Sequence, residues 1–307
     1  MDEDSIARAF ESRAPRAGAR GAASMPHSRA RVAVVIAIAA LAASGCRLAR
    51  RASPVARRNV EPFSFKVALG RNQYQIEGYL ARTSEPGRRP ALLVLNGGEA
   101  NARQCVAANE DLVAMGLQVA CINIPGYGRS SGPGRFVGPQ AVAAARRALD
   151  LLAQRSDVDP QRLAVWGLGK GAVAAGLLMD CDSRPRLLIL QSGAYDMVKL
   201  WPQTTLRTRL SILREVWPSK RVLAERSVIE HLPPRLDCTV LILHGDRDRA
   251  MPVSQAVRLA AALRQRGARV ETRYFQRASH DLGRRVDPDL RAFLRTHLLE
   301  TGTQATS

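Results

Sequence analysis

Between residues 63 and 299 the apolar and polar positions follow two rhythms. Phe63-Ser64-Phe65-Lys66-Val67 and Tyr74-Gln75-Ile76-Glu77-Gly78-Tyr79-Leu80 alternate, with Gly70-Arg71-Asn72 between them. Alternation at period two predicts a half-exposed antiparallel hairpin. Pro86-Gly87 makes a turn, and Ala91-Leu92-Leu93-Val94-Leu95 then runs apolar without a break. So do Leu163 to Trp166 and Leu187 to Leu190, while Leu117 to Ile124 and Thr239 to Leu243 are apolar apart from Gln118, Asn123 and Thr239. Continuous apolar runs of this length predict strands buried on both faces. Val270 to Phe275 predicts a last strand. Helices are predicted over Ala102–Met115, Pro139–Gln154, Ala172–Met179, Val253–Arg266 and Pro288–Leu299, with Gly116 and Gly267 as stops. Strands alternating with helices predict a mostly parallel sheet with right-handed crossovers and helices on both faces. The hairpin forms its antiparallel N-terminal edge. Residues 194–235, with Trp201, Trp217, Pro218, Pro233 and Pro234, break the rhythm and predict short helices laid over the sheet as a small cap.

In such α/β sheets ligands bind beyond the carboxyl ends of the strands. The chain places its polar and glycine-rich loops there: Asn96-Gly97-Gly98-Glu99, Pro125-Gly126-Tyr127-Gly128-Arg129-Ser130, Gly167-Leu168-Gly169-Lys170-Gly171, His244-Gly245-Asp246-Arg247-Asp248 and Ser279-His280-Asp281. The third lies between a strand and a helix, the setting of a nucleophile elbow, G-x-S-x-G, in which a serine is presented on a sharp turn. Here the central residue is Gly169.

These five motifs, in this order after these elements, resemble the α/β-hydrolase superfamily, in its serine aminopeptidase, prolyl-oligopeptidase-like and esterase branches. The resemblance covers residues 63–299. It implies that Gly169 stands at the nucleophile position, Asp248 at the triad acid and His280 at the triad base. It also implies an oxyanion hole from the backbone N–H of Lys170 with that of Gly98 or Glu99. Asp196 is a second choice of acid, Asp246 a turn former and His244 a structural residue. Glu99 reads more simply as a solvated loop residue, since its carboxylate would repel a developing oxyanion. The Lys170 side chain is expected to point away from residue 169. Ser130, Ser131 and Ser192 belong to other loops and do not replace the missing hydroxyl. The expected function is a pseudo-hydrolase or scaffold that binds a small acyl or peptide-like ligand. The alternative is a weak hydrolase in which His280, oriented by Asp248, activates water. No cofactor and no metal is expected.

Composition adds a charge and an address. The 307 residues carry 46 Lys+Arg against 27 Asp+Glu, a net +19. The excess is almost all arginine, and no basic stripe interleaved with aromatics appears, so nucleic acid is not an expected partner. Residues 1–24, rich in Ala, Arg, Gly and Ser, predict a disordered extension ahead of a better start at Met25. From there a signal segment runs to residue 45, with Arg29 and Arg31 before an apolar stretch from Val32. Leu41-Ala42-Ala43-Ser44-Gly45-Cys46 resembles a bacterial lipoprotein signal, which implies lipid attachment at Cys46, with Ala43 where leucine is commonest. Residues 46–62 then form a basic tether, and residues 300–307 a disordered tail. The expected location is the periplasmic side of a bacterial envelope membrane. Cys105, Cys121, Cys181 and Cys238 allow three full pairings, none selected by the sequence. Cys121, in an apolar strand, reads as a small buried hydrophobe.

Overall fold

A computed structural model describes residues 59–69, 71–97 and 101–300. The predicted extension, signal segment, Cys46 and almost all of the tether lie outside them, as does the tail. Strands β1 (Val60–Leu69) and β2 (Asn72–Ala81) form the hairpin, followed by β3 (Arg89–Asn96). Helices α1 (Ala102–Ala108) and α2 (Glu110–Ala114) lead to β4 (Gln118–Asn123), and α3 (Pro139–Ala153) leads to β5 (Val158–Leu168). Helix α4 (Lys170–Leu178) and β6 (Leu187–Gln191) precede the cap, formed by α5 (Met197–Gln203), α6 (Leu206–Glu215), α7 (Lys220–Ala224) and a 3-10 turn at Val228–His231. Then come β7 (Thr239–Gly245), α8 (Ser254–Gln265), β8 (Arg269–Phe275) and α9 (Asp287–Leu294).

The strands form one eight-stranded sheet in the order β1-β2-β4-β3-β5-β6-β7-β8. β1 and β2 pair antiparallel, β2 joins β4 antiparallel, and every pairing from β4 to β8 is parallel. This is the α/β-hydrolase fold. Alternate residues of each central strand feed two cores. Leu93, Val165, Leu188 and Ile242 pack under α3, α4 and α8. Leu92, Ala164, Ile189 and Leu241 pack under α1 and α9. Burial on both faces explains why these strands are apolar throughout.

The structure corrects two local expectations. The helix predicted over residues 102–115 is two helices, because Asn109 donates through Nδ2 to Cys105 O at 2.8 Å and adopts φ −115°, ψ 25°. Asparagine side chains compete with the helical ladder in this way. Cys121 is not a lone hydrophobe: it is disulfide-bonded to Cys105, which ties α1 to β4. Cys181 and Cys238 are free.

Candidate active site

β5 passes into α4 through Gly169, which holds φ +54° and ψ −113°. Glycine takes this left-handed backbone freely, whereas other residues pay about 1–3 kcal/mol. Gly169 N–H donates to Gln191 O at 2.9 Å, which pins the turn to β6. Beyond its chain neighbours, a Cβ at residue 169 would meet one atom of the described residues within 4 Å. That atom is Nε2 of His280, at 3.7 Å.

His280 lies in the loop after β8. Its Nδ1 is 2.7 Å from Asp248 Oδ2. A carboxylate only accepts, so Nδ1 carries the proton and Nε2 turns its lone pair toward residue 169. Asp248 is 4% exposed, and its Oδ1 accepts the N–H groups of Ala250 and Met251 at 2.9 and 2.8 Å. The acid is therefore held from both oxygens. Its hydrogen bond raises the His280 pKa above the ordinary histidine value. His244, fully buried, donates Nε2–H to Met251 O at 2.7 Å, and burial lowers its pKa. It stays neutral and shapes the turn that carries Asp248.

The structure thus brings Gly169, Asp248 and His280 together. It takes Asp196 elsewhere: that carboxylate caps α5 through Lys199 N–H at 3.0 Å and pairs with Arg258 at 3.2 Å. Asp246 is exposed in its turn. Ser130 Oγ donates to Asn123 O at 2.7 Å, and Ser131 Oγ accepts from Gln75 N–H at 2.7 Å, so both hold their loop against the sheet. Of the residues expected to form an oxyanion hole, Gly98 and Glu99 lie outside the described residues. Lys170 begins α4, so its N–H is one of the donors a helix start leaves without an intrahelical partner. Gly97 passes close against it: a Cβ there would lie 2.1 Å from Leu168 O and 2.8 Å from Lys170 N. Only glycine lets the loop after β3 approach the elbow so closely.

The Lys170 side chain leaves the elbow as expected, and its destination explains more than the sequence did. Nζ makes an ion pair with Glu215 of α6 and lies 2.6 Å from Tyr127 Oη. It also sits 4.7 and 5.0 Å from the ring centres of Tyr127 and Phe136. Tyr127 Oη donates to Glu215 Oε2 at 2.6 Å, and Phe136 N–H donates to the same oxygen at 2.8 Å. Burial keeps the Tyr127 phenol protonated far above its ordinary range. One cap carboxylate therefore joins the elbow lysine to the loop after β4.

Between cap and sheet is a cavity of about 710 Å³, with Gly169, His280, Phe136, Met251, Ser192 and Arg207 among its lining. Ser192 is the residue that sequence reasoning set aside. It is 3% exposed, holds φ +50°, and its buried hydroxyl has no hydrogen-bond partner among the described residues. No sequence signal marks a serine for that backbone. Among the described residues no group of three or more His, Cys, Asp or Glu is placed to hold a metal ion.

The profile of the prolyl oligopeptidase family matches residues 138–298, just over half of the chain. The chain belongs to the prolyl oligopeptidase family. Among relatives, an uncharacterized protein of Mycobacterium tuberculosis is 31% identical over 256 residues, covering 78% of this chain and 85% of that one. An uncharacterized peptidase of Bacillus subtilis is 23% identical over 216 residues, covering 68% and 82%. Among solved structures, a Mycobacterium tuberculosis puromycin-hydrolyzing peptidase superposes with TM-score 0.66 at 22% identity, over 80% of this chain and 40% of that one. An acetyl xylan esterase from Paenibacillus superposes with TM-score 0.61 at 17% identity, over 78% and 89%. At these identities the structural likeness carries the fold alone. The prolyl oligopeptidase family match reaches from the start of α3 past α9, and so includes Gly169, Asp248 and His280.

Proposed function

We propose that this family member is a membrane-tethered hydrolase-fold protein without the serine nucleophile, binding a small acyl or peptide-like ligand in the cavity under the cap. One observation carries the reading: the residue facing His280 Nε2 at the elbow is Gly169, which offers no hydroxyl to attack a carbonyl. Without it the covalent acyl intermediate of a Ser-His-Asp mechanism has no acceptor. The ligand class is supported by the company the fold keeps, which includes a peptidase acting on puromycin and an acetyl xylan esterase. Tethering through lipid at Cys46 is supported by the Leu41–Cys46 run. The Cys105–Cys121 disulfide is compatible with an oxidising envelope compartment.

A second reading has its own support. His280 is already oriented by Asp248 with Nε2 free to take a proton, so the pair can act as a general base toward water. Such help is worth about 10²–10⁴-fold. The two readings separate on the purified protein with activated esters and a fluorophosphonate probe. The first expects no labelling and hydrolysis at the buffer rate. The second expects slow hydrolysis that His280→Ala removes. Labelling lost in Ser192→Ala would overturn both, by identifying a displaced nucleophile in the cavity.

A further inference from the structure

Helix α6 is turned inside out. At about 100° per residue, Leu206, Leu210 and Leu213 fall within an arc of about 60°. Such a stripe ordinarily faces the core. Here it faces water: Leu206 is 71% exposed, Leu210 47% and Leu213 39%. The opposite face is the buried one, through Thr208 and Ile212, with Glu215 reaching in to Lys170. Just past the helix end, Trp217 is 78% exposed. Among the exposed large apolar side chains of the described residues, these four form the one cluster that is contiguous in sequence.

Charge decides what covers this ridge. Arg207 and Arg214 project about 80–100° to one side of the leucines, while Arg209, about 60° to the other, is committed to Pro202 O at 2.7 Å beside the Trp201 ring. Lys220 and Arg221 follow Trp217 and are exposed. Glu215 is the sole acid between residues 206 and 221, and it is committed to the interior. Leucine and tryptophan bordered by the exposed Arg207, Arg214, Lys220 and Arg221 make the composition of a helix that lies in a lipid interface. An apolar protein partner would not need the flanking cations. An anionic headgroup layer complements them, at about 1 kcal/mol for each basic residue near the surface.

We propose that α6 and Trp217 dock the cap onto an anionic bilayer surface, the leucines and the indole entering the headgroup–acyl boundary and Arg207 and Arg214 pairing with lipid phosphates. The proposal does not depend on the chemistry at Gly169 or on the reading of Cys46.

The test uses the full chain with vesicles of phosphatidylglycerol and phosphatidylcholine carrying brominated acyl chains. Bromine quenches tryptophan only on contact, so Trp217 reports its own depth whatever the rest of the chain does. Trp217→Phe supplies the background of Trp166 and Trp201. Quenching of Trp217 on anionic vesicles is expected. Each of Leu206→Ser, Leu210→Ser and Leu213→Ser should weaken it about tenfold, and each of Arg207→Gln and Arg214→Gln about fivefold. No quenching overturns the proposal. So does equal quenching on pure phosphatidylcholine, which removes the role of charge. A blue shift of Trp217 that grows with protein concentration and ignores lipid also overturns it, by making the ridge a contact between copies.

Discussion

Restoring a serine at position 169 puts the reading of the elbow at risk. The Cβ of Gly169→Ser would sit 3.7 Å from His280 Nε2. A hydroxyl rotated toward the ring then enters the range of about 2.6–3.2 Å in which a base activates a nucleophile. The backbone at φ +54°, ψ −113° is already that of a strained turn. Placing any L side chain on it costs about 1–3 kcal/mol. In a domain of this size each kcal/mol lowers the melting midpoint by about 2–4 °C, so the loss is roughly 2–12 °C. Gly169→Ala carries the same strain without the hydroxyl and should melt alongside the serine variant. Loss of a serine from an assembled triad costs on the order of 10⁶ in kcat, while a histidine acting on water recovers about 10²–10⁴. Ester hydrolysis should therefore rise at least about a hundredfold in Gly169→Ser, with labelling by fluorophosphonate, and fall again in Gly169→Ser/His280→Ala. A serine variant that melts cooperatively yet stays inert and unlabelled would refute the assignment. Equal activity in Gly169→Ala would refute it as well.

Four further outcomes follow, three from the site and its cap and one from the disulfide. In Gly169→Ser the rate should climb with pH through an inflection above the ordinary histidine value of about 6.5, because the Asp248 hydrogen bond raises the His280 pKa and the base must be neutral. The stability from that pair has the opposite sense: fully present below the unfolded value, it fades as pH rises through the raised folded one, and denaturant titrations of His280→Ala should lack this fade. Glu215→Ala removes the acceptor of Lys170, Tyr127 and Phe136 N–H at once. With Lys170 and Glu215 side chains only 17% and 18% exposed, it should destabilise by about 1–3 kcal/mol in urea melts and speed proteolysis in the cap. Cys105→Ser/Cys121→Ser opens a link spanning 16 positions and should cost about 3 kcal/mol, while alkylation without reduction should leave these two thiols unmodified.

What the sequence made legible and what it hid divide along a physical line. The central strands could be read because burial on both faces forces an apolar run, and the places of Gly169, Asp248 and His280 because each follows a strand at the same end of the sheet. Asn109 and Cys105–Cys121 escaped, since a side chain that breaks a helix and a bond between two particular thiols leave no periodic trace. The cap itself was read from its broken rhythm, but the rotation of its helix α6 escaped for a deeper reason. Periodicity in α6 predicts leucines inward, and the rotation observed is the reverse. Lys170 supplies the cause. Its ammonium is held below the cap between two aromatic rings, and a half-buried cation needs a carboxylate. Glu215 meets it only if α6 turns its 208–212–215 side down. With that face committed, Leu206, Leu210 and Leu213 have nowhere to go but out. The ion pair at the elbow therefore sets the surface that the cap shows to its surroundings, and Glu215→Ala should move both. When that tie is cut, α6 is free to roll its leucines back against the cavity, and quenching of Trp217 by brominated lipid should fall together with cap stability. If quenching is unchanged while the cap loosens, the ridge owes its exposure to something other than Lys170.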